Sequence, residues 1–394
     1  MSTPFRFKNA DNTTVDFEDY YVRADFFRSG NLWTCGWNGY GQLGDNTTTR
    51  RSSPVQTIAF GTNWKQASGG RTHAVAIKTD GTLWTWGGAG YGQLGDNTTT
   101  RRSSPAQTIA YGTNWKQVAS AADHVTAIKT DGTLWLWGKN TFGQLGDNSV
   151  TQRASPVQTI ALGTNWMQVS SGYCYNHVAC IKTDGTLWIW GDNTNGKLGD
   201  NTTTKRSSPI QTIAFGTNWK QASCGFEYMA AIKTDGTLWC WGYNSNGQLG
   251  DNTILRRSSP VQTVAFGTNW KQVSCGYTHT TAIKTDGTLW AWGYNTSFGC
   301  LGDNTTINRS SPVQTVAYGT NWKQASSFFR STAAIKTDGT LWYWGNNGYG
   351  QLGNNTVTSR SSPVQTVMYG ANWKEVSFGG FGHTAAIQYQ DDYQ

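Results

Sequence analysis

Ala76-Ile77-Lys78-Thr79-Asp80-Gly81-Thr82-Leu83-Trp84-Thr85-Trp86-Gly87 decides the fold. Two runs of apolar, β-branched and aromatic residues flank Asp-Gly, which predicts a β-hairpin with a two-residue type I′ turn. The period of two places Trp84 and Trp86 on one face and Leu83 and Thr85 on the other. Neither face is plainly polar. A strand buried on both sides belongs to a sheet stacked between other sheets.

The same phrase recurs along the chain. Gly-x-Leu-Trp ends at Trp33, Trp84, Trp135, Trp188, Trp239, Trp290 and Trp342, at intervals of 51, 51, 53, 51, 51 and 52 residues. Leu-Gly-Asp-Asn or Leu-Gly-Asn-Asn follows in each copy, then Ser-Pro, then Asn-Trp. A length of 394 residues would otherwise suggest two or three domains, but a repeat this regular overrides that prior. Each copy holds four expected strands: Lys-Gln-Val-Ser (A), the segment from His to Lys (B), Thr-Leu-Trp-x-Trp-Gly (C) and Val-Gln-Thr-x-Ala (D). Four-stranded units repeated about a ring are propeller blades. The expectation is an all-β, seven-bladed β-propeller over residues 30–394, preceded by an arm at residues 1–29. The chain enters at strand C (Gly30) and leaves at the end of strand B (Ile387-Gln388), so the N- and C-terminal strands should pair in one blade and close the ring.

The residues resemble a known family. Leu-Trp-x-Trp-Gly-x-Asn-x-x-Gly-Gln-Leu-Gly, Ser-Pro and Val-Ser-x-Gly-x-x-His-Thr-x-Ala-Ile are similar to the repeat of the regulator of chromosome condensation. The resemblance covers residues 30 to about 389. It implies the propeller and leaves function open, because the family includes exchange factors, ubiquitin-ligase modules, a plant ultraviolet photoreceptor and bacterial inhibitors. The copies here also resemble repeats of marine phage and bacterial proteins. The lead-in Phe17-Glu18-Asp19-Tyr20-Tyr21-Val22-Arg23 resembles arms of phage structural proteins, which implies a virion protein made in the host cytoplasm.

Composition and motifs narrow the chemistry. The 53 aromatic residues, 21 of them Trp, supply a large core despite a mean hydropathy of -0.52. No apolar run is long enough to span a membrane and no secretory leader is read. Gly191-Asp192-Asn193-Thr194-Asn195-Gly196-Lys197 fits a phosphate loop up to the lysine, but Leu198 replaces the Ser or Thr that would hold Mg²⁺. It is read as a repeat turn. His73, His124, His177, His279 and His383 share one slot and are expected to pack, not to bind metal. The seven cysteines include no Cys-x-x-Cys pair, and Asp-Asn-Thr is read as a side-chain-capped turn. The photoreceptor's loop tryptophans have no counterpart here, and the Trp residues are expected to be core. The net charge of +8 shows no concentrated basic stretch, the arginines before Ser-Pro are read as loop braces, and nucleic-acid binding is not expected.

The seven copies differ from one another mainly in the A–B and C–D loops, which should share one face of the disc. That face is the expected partner-binding rim: Tyr40, Arg71, Tyr91, Phe142, Tyr173, Tyr175, Phe226, Tyr228, Tyr277, Phe298, Phe328, Phe329, Arg330, Tyr349 and Phe381. The arm carries Phe5, Phe7, Phe17, Tyr20, Tyr21, Phe26 and Phe27, expected to dock on another virion subunit. The expected function is non-enzymatic, without cofactor or metal: a phage structural or binding protein with a host surface protein or glycan at the rim. The alternative is a cellular regulatory protein-binding module of the same family.

Overall fold

Seven four-stranded antiparallel units, numbered here as blades 1–7, succeed one another along the chain, with a single Gly30–Trp64 bridge joining blades 1 and 2 into one sheet. The computed structural model describes residues 6–8, 14–16 and 30–389, apart from 59–60, 62, 110–111, 162, 173–174, 214–215, 265–266, 317–318 and 368–369. Blade 2 is typical: A is Trp64–Gly69, B is His73–Lys78, C is Leu83–Gly87 and D is Arg102–Gln107. Blade 1 is the stitched one. Its A and B strands, Trp373–Gly379 and His383–Tyr389, come from the end of the chain, and its C and D strands, Gly30–Gly36 and Arg51–Gln56, from the start. Seven consecutive pairs, Gly30↔Tyr389 to Gly36↔His383, join the halves. Ring closure is therefore complete. Residues 6–8 and 14–16 of the arm form a small two-stranded sheet.

Burial follows position in the blade. Strand B is buried through five of its six residues, while D is half-exposed and forms the outer edge. Strand D begins at the arginine, earlier than the Val-Gln-Thr-x-Ala expectation, and so contains the Ser-Pro step. An edge strand tolerates this, because proline's missing donor faces outward.

The hairpin differs from expectation in kind. Gly81 takes φ +80° while Asp80 stays on the negative side, so the turn is not type I′. Gly81 N donates to Lys78 O at 2.9 Å and Lys78 N to Thr82 O at 3.0 Å, giving a three-residue loop with glycine in the left-handed slot. Asp80 is freed to cap the turn, accepting from Thr82 N and its hydroxyl.

Blades are stapled to their neighbours by the second tryptophan of strand C. Trp86 Nε1 donates to Gln42 O of the preceding blade at 2.8 Å, and Trp137, Trp190, Trp241, Trp292 and Trp344 repeat the contact. In blade 1 Cys35 takes that slot, with Sγ directed at Gln351 O. The rings are fully buried, so each staple combines a large apolar area with a satisfied donor.

Candidate functional site

The C–D loops explain the arginines and the Asp-Asn-Thr turns together. Arg51 pairs with Asp45 at 3.0 Å, and Asp45 also accepts from Asn38 and from the Thr47 amide and hydroxyl. Asn38 is fully buried and reaches two further loop carbonyls. Burial opposes ionisation of Asp45, but these donors and Arg51 hold its carboxyl below the ordinary value. Equivalent pairs recur from Arg102–Asp96 to Arg309–Asp303, and blade 7 substitutes Asn354 for the aspartate. These arginines are loop braces.

The A–B loops converge with the C–D loops on one face. There Arg71 pairs with buried Asp123 at 2.9 Å, donates to Tyr175 Oη at 3.2 Å and lies over the Phe381 ring at 5.5 Å. Lys139 lies 3.9 Å from Asp123 and over Tyr91 and Tyr175. Tyr175, Phe226, Tyr277 and Phe329 then touch in succession, with ring centroids 5.1, 4.2 and 5.3 Å apart. Arg330 covers Tyr294, Phe298 and Phe329. On the other side Trp37 meets Tyr40, Tyr349 and Phe381. The result is an aromatic and cationic girdle over the end of the ring.

A second cluster breaks the repeat. Lys197, fully buried, occupies the usual glutamine slot and pairs with Asp192 at 2.6 Å and with Glu227 of the next blade. Burial would raise the Asp192 carboxyl, but Lys197 holds it low. Beside this triad lies an open cavity of about 470 Å³ lined by Asn195, Phe226, Glu227, Tyr243, Asn246, Tyr277 and Thr278.

The expected rim is thus partly gathered and partly corrected. Tyr40, Tyr349 and Phe381 are exposed, and Arg71, Tyr91, Phe142, Tyr175, Phe226, Tyr277, Phe298, Phe329 and Arg330 are half-buried on this face. Tyr228 and Phe328 are not rim residues. Both belong to strands and are buried, and Tyr228 Oη donates to His279 O inside the ring. Tyr173 lies outside the described residues. So do Phe5, Phe17, Tyr20, Tyr21, Phe26 and Phe27 of the arm, while Phe7 sits in its small sheet. Trp37, Asp123, Lys139, Asp192, Lys197 and Glu227 also belong to this face and were not among the expected rim residues. The departure of Lys197 from the repeat glutamine was the available signal.

The histidine slot is internal. Burial depresses His73, His124 and His279 to about 3 and His383 to about 4, so the rings are neutral. Among the described residues no group of His, Cys, Asp or Glu has metal-ligand geometry.

The RCC1-like domain matches residues 159–393, and the regulator of chromosome condensation (RCC1) repeat matches residues 29–77, 80–128 and 131–181. The chain belongs to the RCC1 repeat family. It is 30% identical to the ultraviolet-B receptor UVR8 of Arabidopsis thaliana, over 85% of this chain and 77% of that protein. It is 28% identical to the human E3 ubiquitin-protein ligase HERC2 over 73% of this chain, but spans only 6% of the ligase. In fold it is similar to yeast RCC1 (Prp20) bound to Kap60, with TM-score 0.82, 17% identity and coverage of 93% and 90%. It is also similar to human WBSCR16, with TM-score 0.79, 19% identity and coverage of 92% and 100%.

Proposed function

We propose that this RCC1-family propeller is a non-catalytic, regulatory protein-binding module that engages its partner through the A–B/C–D face. The observation that carries this is where the blades depart from one another. Strands, B–C hairpins and D–A links are nearly uniform, whereas Trp37, Arg71, Asp123, Lys139, Lys197, Glu227 and the aromatic succession all fall on one face. Aromatic and arginine side chains on a rigid scaffold are the usual anchors of protein interfaces. Support also comes from relatives: yeast RCC1 is seen bound to Kap60, and Prp20p is described with binding to Gsp1p and histones. The plant, human and yeast relatives are cellular proteins and lend nothing to a virion role. HERC2 is a ligase, so family membership alone does not assign a binding role.

The test is site-specific photocrosslinking in the cell that makes the protein. Crosslinkers at Tyr349 and Phe381 should capture one partner, and the same group at Asp235 or Asp338, on the hairpin face, should not. Capture from the hairpin face alone would overturn the assignment.

A further inference from the structure

The face opposite the girdle gathers charge that the sequence disperses. Each A strand begins Trp-Lys-Gln or a variant of it, and ring closure brings the lysines Lys65, Lys116, Lys220, Lys271, Lys323 and Lys374 around one axis. Met167 fills the seventh place. The first five lysines are exposed, and Lys65, Lys116, Lys220 and Lys271 form no ion pair among the described residues. The other lysines of this face, such as Lys78 at 5.0 and 4.5 Å from two indole centroids, are matched one for one by the hairpin aspartates. Among the described residues, Lys65, Lys116, Lys220 and Lys271 are therefore the unbalanced charges of that face, on a chain whose net charge is +8.

Behind the collar lies the central channel, a cavity of about 280 Å³ that Lys220 itself helps to line. Its wall is built from the next residues of the A strands, Gln66, Gln117, Gln168, Gln221, Gln272 and Gln324, with Glu375 in the seventh position. The glutamine oxygens accept from the neighbouring blade, as Gln66 does from Val118 N at 2.9 Å. The carboxamide NH₂ groups of Gln66, Gln117 and Gln324 have no protein acceptor among the described residues. Ser120 Oγ, 3% exposed, lines the channel without a partner. Phe328 and Phe378 also line the channel and share one apolar cluster with Tyr175, Phe226, Tyr277 and Phe329 of the girdle.

We propose that the lysine collar and the channel behind it form a binding site for a compact polyanion carrying several phosphate groups around one centre. The arrangement of the charge selects this class. Lysines set around an axis meet a ligand whose charges radiate, whereas a nucleic-acid strand lays its phosphates along a track and would reach only part of the collar. The cavity is too small for a duplex, and its unpartnered amide and hydroxyl groups offer hydrogen bonds to one phosphate or ring hydroxyl. This site is separate from the protein-binding face and does not depend on it.

The experiment is calorimetric titration of the full chain with myo-inositol hexakisphosphate and with tripolyphosphate, in about 150 mM salt to screen diffuse attraction. One saturable site per chain is expected. Lys116→Gln, Lys220→Gln and Lys271→Gln together should weaken it roughly tenfold. Arg50→Gln, Arg101→Gln and Arg256→Gln, which remove as much charge from the other face, should change it by less than about twofold. Both triple variants should keep the wild-type thermal transition, since the altered side chains are exposed. Equal losses in the two variants, several weak sites per chain, or no saturation would overturn the proposal. So would tighter collar-dependent binding of a single-stranded oligonucleotide of equal charge.

Discussion

Replacing Glu375 by the glutamine found in the other six blades should stabilise the ring, and only above acidic pH. Glu375 lines the channel where each neighbour uses a carboxamide, and it accepts from the backbone of Ala67. Burial pushes its carboxyl from 4.5 up to about 8, so at neutral pH the folded state keeps a proton that the unfolded state has lost. A raised acid contributes stability fully below about pH 4.5, which is lost as pH rises through about 8. At about 1.4 kcal/mol per pH unit, the difference at pH 7 is at most about 3 kcal/mol. The carboxyl also borders the channel, so about 1.5–3 kcal/mol is the working figure. For a chain of 394 residues this corresponds to a Tm rise of about 2–4 °C. The glutamine keeps the donor that the protonated carboxyl holds, as Gln272 Nε2 shows by reaching Ala325 O at 3.1 Å. Urea unfolding of wild type and Glu375→Gln from pH 5.5 to pH 8 is the assay, the buried histidines setting the acidic limit. The two curves should lie closest at pH 5.5 and separate steadily as the pH rises. A variant less stable at pH 7, or a difference that does not change with pH, would refute the reasoning.

The five buried histidines should act in the opposite direction. His73, His124, His279 and His383 lie near 3–4 against an ordinary 6.5, and burial holds His177 well below that value too, so stability falls as pH drops below about 6.5, by about 2 kcal/mol at pH 5 for each of the first four, read from urea midpoints. Lys197→Gln should cost about 3–5 kcal/mol by leaving Asp192 and Glu227 without their cation, and adding Asp192→Asn and Glu227→Gln should restore most of it. Ending the chain at Gly370 removes strands A and B of blade 1, exposes the edge of Gly30–Gly36 and should abolish the single cooperative transition in calorimetry. Phe226→Ser and Tyr277→Ser should each lower the Tm measurably, because these rings pack on one another and on the channel's end, whereas Tyr40→Ser should not.

The ring was legible because its determinants are local and repeated. A tryptophan phrase every 51–53 residues specifies a strand, a turn and a place in a blade, and half-copies at the ends specify closure. The turn type was not legible, since Asp-Gly serves both a two-residue loop and a three-residue loop in which only Gly81 is left-handed. Tyr228 was misplaced because it occupies a histidine slot that points inward, where its hydroxyl finds His279 O. Ring assembly also hid the collar: Lys65 and Lys116 are 51 residues apart in sequence and occupy neighbouring positions about the axis. The Lys197–Glu227 contact is likewise a property of two adjacent blades.

The join between Gly30–Gly36 and His383–Tyr389 has a consequence for how this protein comes apart. In an open array of repeats, melting starts at a terminal unit that has one neighbour instead of two. Here no unit is terminal. Every blade has lost the freedom to fray first, and the earliest opening must cost a contact on each of two flanks. Amide exchange should therefore rank residues by depth within a blade, slowest along strands B and C, with no gradient from one end of the polypeptide to the other. The first and last residues of the ring, so far apart in synthesis, should exchange as late as those in the middle.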